Sequence, residues 1–286
     1  MSEQRLLLCC DMDKTVIPNG CQIEYPGALK RFAAFCRLPE VMLTYVTGRH
    51  LASVLLAIEN YRLPKPDFII SDVGSKIYRF NDQQWQELIV WEQKINQDWR
   101  GKNHQQIKQM FEDIVELQCQ EIEKQNTYKL SYYLPLPADY VNIIQQMKVR
   151  LEAENIDASL IWSVDEPSNI GMLDVLPKNA TKLHAIEFLR QLQGHSLNEL
   201  IFAGDSGNDL NVLASEIPSV LVANAANSIR VAAQQLANKQ GFQNSLYLAG
   251  TSDLGMDGNY SAGILEGIWH FFPQFRDTIR QSEQLI

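Results

Sequence analysis

The chain has no excess of positive charge to offer nucleic acid. Its 286 residues include 25 lysines and arginines against 34 acids, a formal net charge of -9, and no basic block stands out. That argues against nucleic acid as the main partner, and leaves an anionic substrate to be met by local cations or by a metal. Cysteine is scarce too: five residues without a CxxC pair show neither a disulfide framework nor zinc spacing. The histidines, His50, His104, His184, His195 and His270, form no cluster with metal-ligand spacing, and none is expected in catalysis. No apolar run reaches the ~18 residues expected of a membrane span. The first residues lack a basic region followed by an apolar stretch, and no repeat, low-complexity tract or heptad is visible. The expectation is a cytoplasmic protein with neither a nucleic-acid nor a membrane partner.

What is present is an ordinary apolar core, 45% hydrophobic against 21% charged, in a chain long enough for two modest domains or one with an insertion. Arg5-Leu6-Leu7-Leu8-Cys9-Cys10 is a short apolar run that stops at Asp11-Met12-Asp13-Lys14-Thr15. Such a run fits a strand buried on both faces, and ligands of open parallel sheets bind at the carboxyl ends of strands. Two carboxylates there repel each other unless a cation or a proton separates them. Val41 to Val46, Asp67 to Ser71, Leu200 to Ala203 and Val220 to Val222 repeat the buried-strand pattern. Helical spacing follows at Leu29 to Phe35, Leu51 to Ile58, Ile186 to Leu189 and Ile264 to Phe271. Alternating strands and helices imply right-handed crossovers and a parallel sheet.

The texture changes near Asn81. Residues 83 to 125 are rich in Gln, Glu and Lys, with Ile107, Met110, Phe111, Ile114 and Leu117 at helical spacing, and Trp85, Trp91 and Trp99 fall in the stretch expected to lead in by a helix. Thr127 to Leu134 and Ser159 to Val164 then read as strands around a helix through Val141, Ile144, Met147 and Leu151. The expected organisation is an α/β, Rossmann-like parallel-sheet core, residues 1–82 and 169–286, interrupted by an α+β cap, residues 83–168.

Four polar clusters share one address, the end of a buried strand or the adjoining helix start. Asp11, Asp13 and Thr15 are the first. Thr47, Gly48 and Arg49 are the second, a hydroxyl, a flexible backbone and a cation where free amides suit an anion. Lys182 is the third, a point charge suited to phosphate. Gly204-Asp205-Ser206-Gly207-Asn208-Asp209 is the fourth. Taken alone, the first reads more readily as a capped turn, the second as a helix cap with an exposed arginine and the third as a solvated lysine. Their order and placement together favour chemistry.

These four clusters resemble the motifs of the haloacid dehalogenase-like phosphohydrolases, and the insertion resembles the cap of the Cof-type subfamily. Pro66 to Gly74, Lys129 to Tyr133 and Gly263 to Ile268 are similar to segments of sucrose-phosphate phosphatases and related glycosyl-phosphate phosphatases. The resemblance implies a Mg²⁺-dependent phosphatase acting on a phosphorylated sugar or glycoside through an aspartyl-phosphate. It implies Asp11 as nucleophile and Asp13 as acid and base. The implied metal site is Asp11, Asp13 (through its backbone carbonyl), Asp205 and Asp209, and the implied phosphate site is Thr47, Gly48, Lys182 and Asn208. Arg49, Gly74, Lys76, Lys129 and Tyr133 are the expected substrate-side residues. Two positions depart from the pattern. Lys14 replaces glycine or asparagine, and Lys76 replaces an acid, which would favour a substrate with a second anionic group. A glycosyltransferase or synthase supplying the substrate is the partner implied. A phosphosugar mutase and a non-catalytic sugar-phosphate-binding module are the alternatives.

Overall fold

The computed structural model describes residues 5–165, 168–250, 252 and 254–281. In chain order the strands are β1 (Leu6–Cys10), β2 (Val41–Val46), β3 (Phe68–Ser71), β4 (Lys76–Asn81), β5 (Gln84–Glu87), β6 (Gln118–Cys119), β7 (Leu130–Pro135), β8 (Ala158–Asp165), β9 (Ile170–Pro177), β10 (Leu200–Gly204), β11 (Ser219–Leu221) and β12 (Leu246–Leu248). The helices that matter here are α1 (Ala28–Phe35), α2 (Leu51–Tyr61), α3 (Ile89–Ile95), α4 (His104–Gln109), α5 (Tyr140–Ala153) and α6 (Lys182–Leu192).

β1 lies inside an eight-stranded sheet of order β12-β11-β10-β1-β2-β3-β4-β5. The pairs from β12 to β3 are parallel, and β4 and β5 close the edge as an antiparallel hairpin. Every residue of β1 is fully buried. Side chains alternate in a strand, so Leu7 and Cys9 enter one apolar cluster while Leu6, Leu8 and Cys10 enter the other. Helices cover both faces, which is why the strand reads as one unbroken apolar run. The α/β parallel core expected from the sequence is present.

A second, antiparallel sheet of order β6-β7-β9-β8 carries the inserted cap. Leu130, Tyr132, Leu134, Leu173 and Val175 are buried on one face with Ile143, Met147 and Leu151 of α5. By parity the other face holds Ser131 opposite Asp174 and Ile161, then Tyr133 opposite Met172 and Ser163. Sheet membership departs from the expected limits of 83 and 168 at both ends. Gln84–Glu87 pairs with β4 in the first sheet, Trp85 packing edge-on against Phe80 with ring centroids 5.2 Å apart. Ile170–Pro177 is an inner strand of the second sheet. Trp85 is therefore a strand residue, whereas Trp91 lies in α3 and Trp99 just beyond it, both fully buried. Helical structure ends at Gln109, well short of Leu117.

The two chain crossings between the sheets are tied together. Asn179 donates from its backbone N–H and its side chain to the two oxygens of Asp98, at 2.7 and 2.9 Å, and Lys178 N–H donates to Asp157 O at 3.1 Å.

Candidate active site

β1 ends at Asp11, whose amide donates to Ala203 of β10 at 2.8 Å. Its carboxylate is thereby fixed at the carboxyl edge of the sheet. The chain then turns tightly: the amides of Thr15, Val16 and Ile17 all point to Met12 O, and Lys14 has φ 56°. Lys14 stands where the resemblance has glycine or asparagine, and a left-handed backbone explains why those types suit the position.

α6 delivers Lys182. Thr181 caps the helix, its hydroxyl accepting from His184 N–H at 3.2 Å. The Lys182 ammonium reaches Asp11 Oδ1 at 2.8 Å and Asp209 Oδ1 at 2.7 Å. Gly74 makes this approach possible, because a Cβ there would lie 2.4 Å from the Thr181 carbonyl carbon, at a backbone φ of +105°. Gly74→Ala is expected to cost about 2–4 kcal/mol of stability and to lower turnover by shifting Lys182. Urea denaturation and phosphate release measure the two effects.

The turn after β10 brings the other acids. Asp209 Oδ2 accepts from Asp205 N–H, Ser206 N–H and the Ser206 hydroxyl at 3.0–3.1 Å. Thr15 donates to Asp205 Oδ1 at 3.2 Å. Asp11, Asp205 and Asp209 are all buried, with ligand oxygens within 4.8 Å of one another. Burial pushes the Asp11 carboxyl up to about 8; Lys182 pulls the other way, and Asp209 and Asp205 add to the rise. Burial and the charge of Asp209 push Asp205 up to about 6. Burial lowers Lys182, but Asp11 and Asp209 outweigh it and hold the ammonium above its ordinary value. Three acids share one ammonium, and the rise of Asp11 and Asp205 shows that the cluster ionises fully only when a further positive charge joins it. An all-oxygen donor set of this kind fits a hard divalent cation.

Asp13 lies apart from this cluster. Arg49 grips it with Nε on Oδ2 at 2.7 Å and Nη2 on Oδ1 at 2.6 Å, and Asn19 donates to Oδ1 at 2.7 Å. Burial pushes Asp13 up, but the Arg49 bonds and charge outweigh it, with help from Asn19, and hold it below the ordinary carboxylate range. Thr47 and Gly48 follow β2, and the Thr47 hydroxyl accepts from Arg49 N–H at 3.2 Å, leaving its own proton to donate. Against this loop runs a strained turn, Asp72, Val73 and Gly74, with φ of 51°, 61° and 105°. Its amides at Asp72 and Val73 donate to Arg49 O and Thr47 O at 3.0 and 3.1 Å. A β-branched residue at positive φ is an outlier that a surrounding structure must enforce.

Between this edge and the cap sheet lies a cleft of about 470 Å³, lined by Gly48, Arg49, Val73 and Asn208 below and by Lys124, Lys129, Ile161, Ser163, Met172 and Asp174 above. The volume is in the usual range for ligand pockets, about 300–1,000 Å³. Of the expected substrate-side residues, Arg49 and Lys129 line the cleft. Lys129 is buried and pairs across to Asp72 at 3.6 Å. Tyr133 stands behind, donating to Glu121 at 2.9 Å and accepting from Lys124 at 2.6 Å. Gly74 is a packing residue under Thr181.

Lys76 corrects an expectation. It is not among the cleft residues; its ammonium bonds Glu87 at 3.1 Å and also Glu92. Both acids come from segments that the sequence alone did not bring beside β4, so the lysine read as a spare cation. The sequence alone does not mark Asn19, Asp72, Asp174 or Lys124. Strand parity from Ser131 to Asp174 is the signal that finds Asp174, whereas Asn19 is visible only in the folded turn.

A parallel sheet that gathers buried acids and a lysine at its strand ends, beneath an inserted cap, is the arrangement of the haloacid dehalogenase-like hydrolases. The chain belongs to the sucrose-6F-phosphate phosphohydrolase family, whose model matches residues 4–272. It is thus a phosphatase of the sugar-phosphate class, and phosphatases of this family are metal-dependent. A putative haloacid dehalogenase-like hydrolase of Nitrosococcus oceani is 49% identical over 96% of this chain and 74% of its own length. The mannosylfructose-phosphate phosphatase of Agrobacterium fabrum is 29% identical over 77% of this chain and 83% of that one. The sucrose-phosphatase of Synechocystis, solved with sucrose and phosphate, superposes with a TM-score of 0.71 at 26% identity, covering 94% of this chain and 98% of that chain. A stretch of a Pseudomonas anguilliseptica glucosylglycerol-phosphate synthase, 26% of its length, matches 76% of this chain at 28% identity. No helix among the described residues is long and apolar enough to cross a membrane.

Proposed function

We propose that the protein is a Mg²⁺-dependent phosphatase that releases inorganic phosphate from a phosphorylated neutral sugar or glycoside. One observation carries the reading: Asp11, at the sheet's carboxyl edge, is paired with Lys182 and clustered with Asp205 and Asp209 beside the cleft under the cap.

In this reading Asp11 is the nucleophile. Its oxygen attacks phosphorus, the bond to the sugar oxygen breaks with its electron pair going to that oxygen, and Asp13, which must enter the step carrying a proton on its open Oδ2 against the pull of Arg49, passes that proton to it. Asp13, now a carboxylate, takes a proton from water as the water oxygen attacks the aspartyl-phosphate. The bond to Asp11 breaks, its electron pair returns to Asp11, and free sugar and inorganic phosphate leave. Lys182, the Thr47 hydroxyl and the Gly48 amide hold the phosphoryl oxygens, and Asn208 reaches them from the cleft side. The side chains of Asp11 and Asp205 and the Asp13 carbonyl would hold a Mg²⁺, with Asp209 in the same acidic cluster, and the ion would supply charge neutralisation. Asp209 also holds Lys182 and the amides of its own turn, so it orders both halves of the site.

The cap segment, taken as the chain between β5 and α6, supplies the sugar side. Its cleft face offers Ser163 and Asp174, acceptors and a hydroxyl suited to sugar hydroxyls, with Ser131 hydrogen-bonded to Asp174. Lys129 and Lys124 are each matched by an acid, Asp72 and Glu121. That balance supports a neutral sugar over one bearing a second anion. A glycosyltransferase that makes phosphorylated glycosides is the natural supplier, a view supported by the likeness to part of a glucosylglycerol-phosphate synthase. Cysteines that stand unpaired favour the cytoplasm.

The test is a phosphate-release panel of sucrose phosphate, mannosylfructose phosphate, hexose phosphates and glycosyl-glycerate phosphates. Neutral glycosyl phosphates are expected to lead, with activity lost in EDTA and restored by Mg²⁺. Preference for the glyceryl acid, or interconversion of isomers without release, would reject the reading. Lys76→Met is expected to cost about 2–4 kcal/mol by stranding Glu87 and Glu92, less if the half-exposed Glu87 is well screened. The order of preference on the panel should not move; a reordering would return Lys76 to the substrate side.

A further inference from the structure

Asp13 is gripped in a way that its proton-transfer role alone does not explain. An ionised carboxylate has about four lone-pair positions. Oδ1 receives Arg49 Nη2 and Asn19 Nδ2, at 2.6 and 2.7 Å, and Oδ2 receives Arg49 Nε at 2.7 Å. The grip is anchored on both sides. Arg49 Nη1 donates to Ser53 Oγ of α2 at 3.0 Å, and Asn19 Oδ1 accepts from Lys14 N–H at 2.8 Å. The plane of the carboxylate is thus tied to α2 on one side and to the turn after β1 on the other. The open position is on Oδ2, and it is there that a proton for transfer must sit.

Resting on the mechanism proposed above, we infer that Arg49 is a positioning residue for Asp13, which with Asn19 presents one fixed oxygen to the sugar leaving group and later to water. Arg49 lines the cleft, so the competing role is an electrostatic clamp on the substrate phosphate. The two roles separate chemically. A sugar alkoxide is a poor leaving group and needs its proton, while p-nitrophenolate leaves without one. A clamp serves both equally, because both esters carry the same phosphoryl group. Three of the five guanidinium N–H donors are already used on Asp13 and Ser53, which favours the positioning role. The planar fork matters more than the charge, since an ammonium cannot bond both oxygens in this way.

The experiment compares kcat/KM of wild type, Arg49→Ala, Arg49→Lys, Asn19→Ala and Asp13→Asn on p-nitrophenyl phosphate and on the best glycosyl phosphate of the panel. Inhibition by inorganic phosphate is measured beside it. Arg49→Ala is expected to lose about 10²-fold on the glycosyl phosphate and under about 10-fold on the aryl ester, the scale of a lost general acid. Phosphate inhibition should stay within about threefold, and Arg49→Lys should not restore the glycosyl rate. Asn19→Ala should show the same asymmetry, smaller in size. Equal losses on both esters with weakened phosphate inhibition, or full rescue by lysine, would overturn the proposal. Asp13→Asn separates the two levels: if it shows the asymmetry and Arg49→Ala does not, positioning by Arg49 fails alone. If Asp13→Asn shows none, the acid role fails and the inference falls with it.

Discussion

Asp11→Asn is expected to abolish phosphate release, by about 10⁴-fold or more, while leaving the fold intact. The amide keeps the shape of the carboxylate but cannot form the aspartyl-phosphate. It also takes one of three crowded acids out of the cluster, and Lys182 retains its 2.7 Å contact with Asp209. Burial and neighbouring acids already oppose ionisation of Asp11. The variant should therefore unfold at the same urea concentration as wild type, or a higher one, when both are measured in EDTA. Acid quenching during turnover should trap phosphate on the wild-type chain and none on the variant. Normal turnover by the folded variant would reject Asp11 as nucleophile.

Lys182→Met should be equally inactive but, in contrast, unstable. Its side chain is 1% exposed, and the ammonium serves two buried carboxylates. Removing it strands both, and breaking a buried ion pair from one side costs about 3–5 kcal/mol. Methionine fills most of the volume, so the loss reports charge and not a cavity. The double variant Asp11→Asn/Lys182→Met should be more stable than Lys182→Met alone, with a coupling of about 1–3 kcal/mol. Additive effects in that cycle would mean that the contact between the two side chains carries no stability, and that Lys182 acts on phosphate alone.

The contrast between these variants shows what the sequence made legible. The polar clusters sit where apolar strands stop, so a one-dimensional pattern marks both their residue types and their common edge. β1 is the clearest case, its unbroken apolar run reporting burial on two faces. Features that depend on which strand pairs with which were less accessible. Ile170–Pro177 resembles the core strands in composition yet pairs inside the second sheet. Gln84–Glu87 is polar because it is an edge strand, and its composition matched the polar stretch that follows. The helical spacing from Ile107 to Leu117 was overridden, with Ile107, Phe111 and Ile114 buried from a short helix and successive turns. Lys76 failed for a related reason: the meaning of a buried charge lies in its partners, and Glu92 is sixteen residues away.

The bonded crossing between the sheets has a mechanical consequence. β9 ends at Pro177 and α6 begins at Lys182, so the cap is joined to the buried ammonium by a tether of residues 178–181. At the cap end the tether is pinned to Asp98 and Asp157; at the core end it is wedged against Gly74. With little slack between the pins, a rotation of the cap would have to bend within those residues or pull Lys182 off Asp11. If Asp11 and Lys182 act as proposed above, any displacement of the cap would be felt at that ion pair.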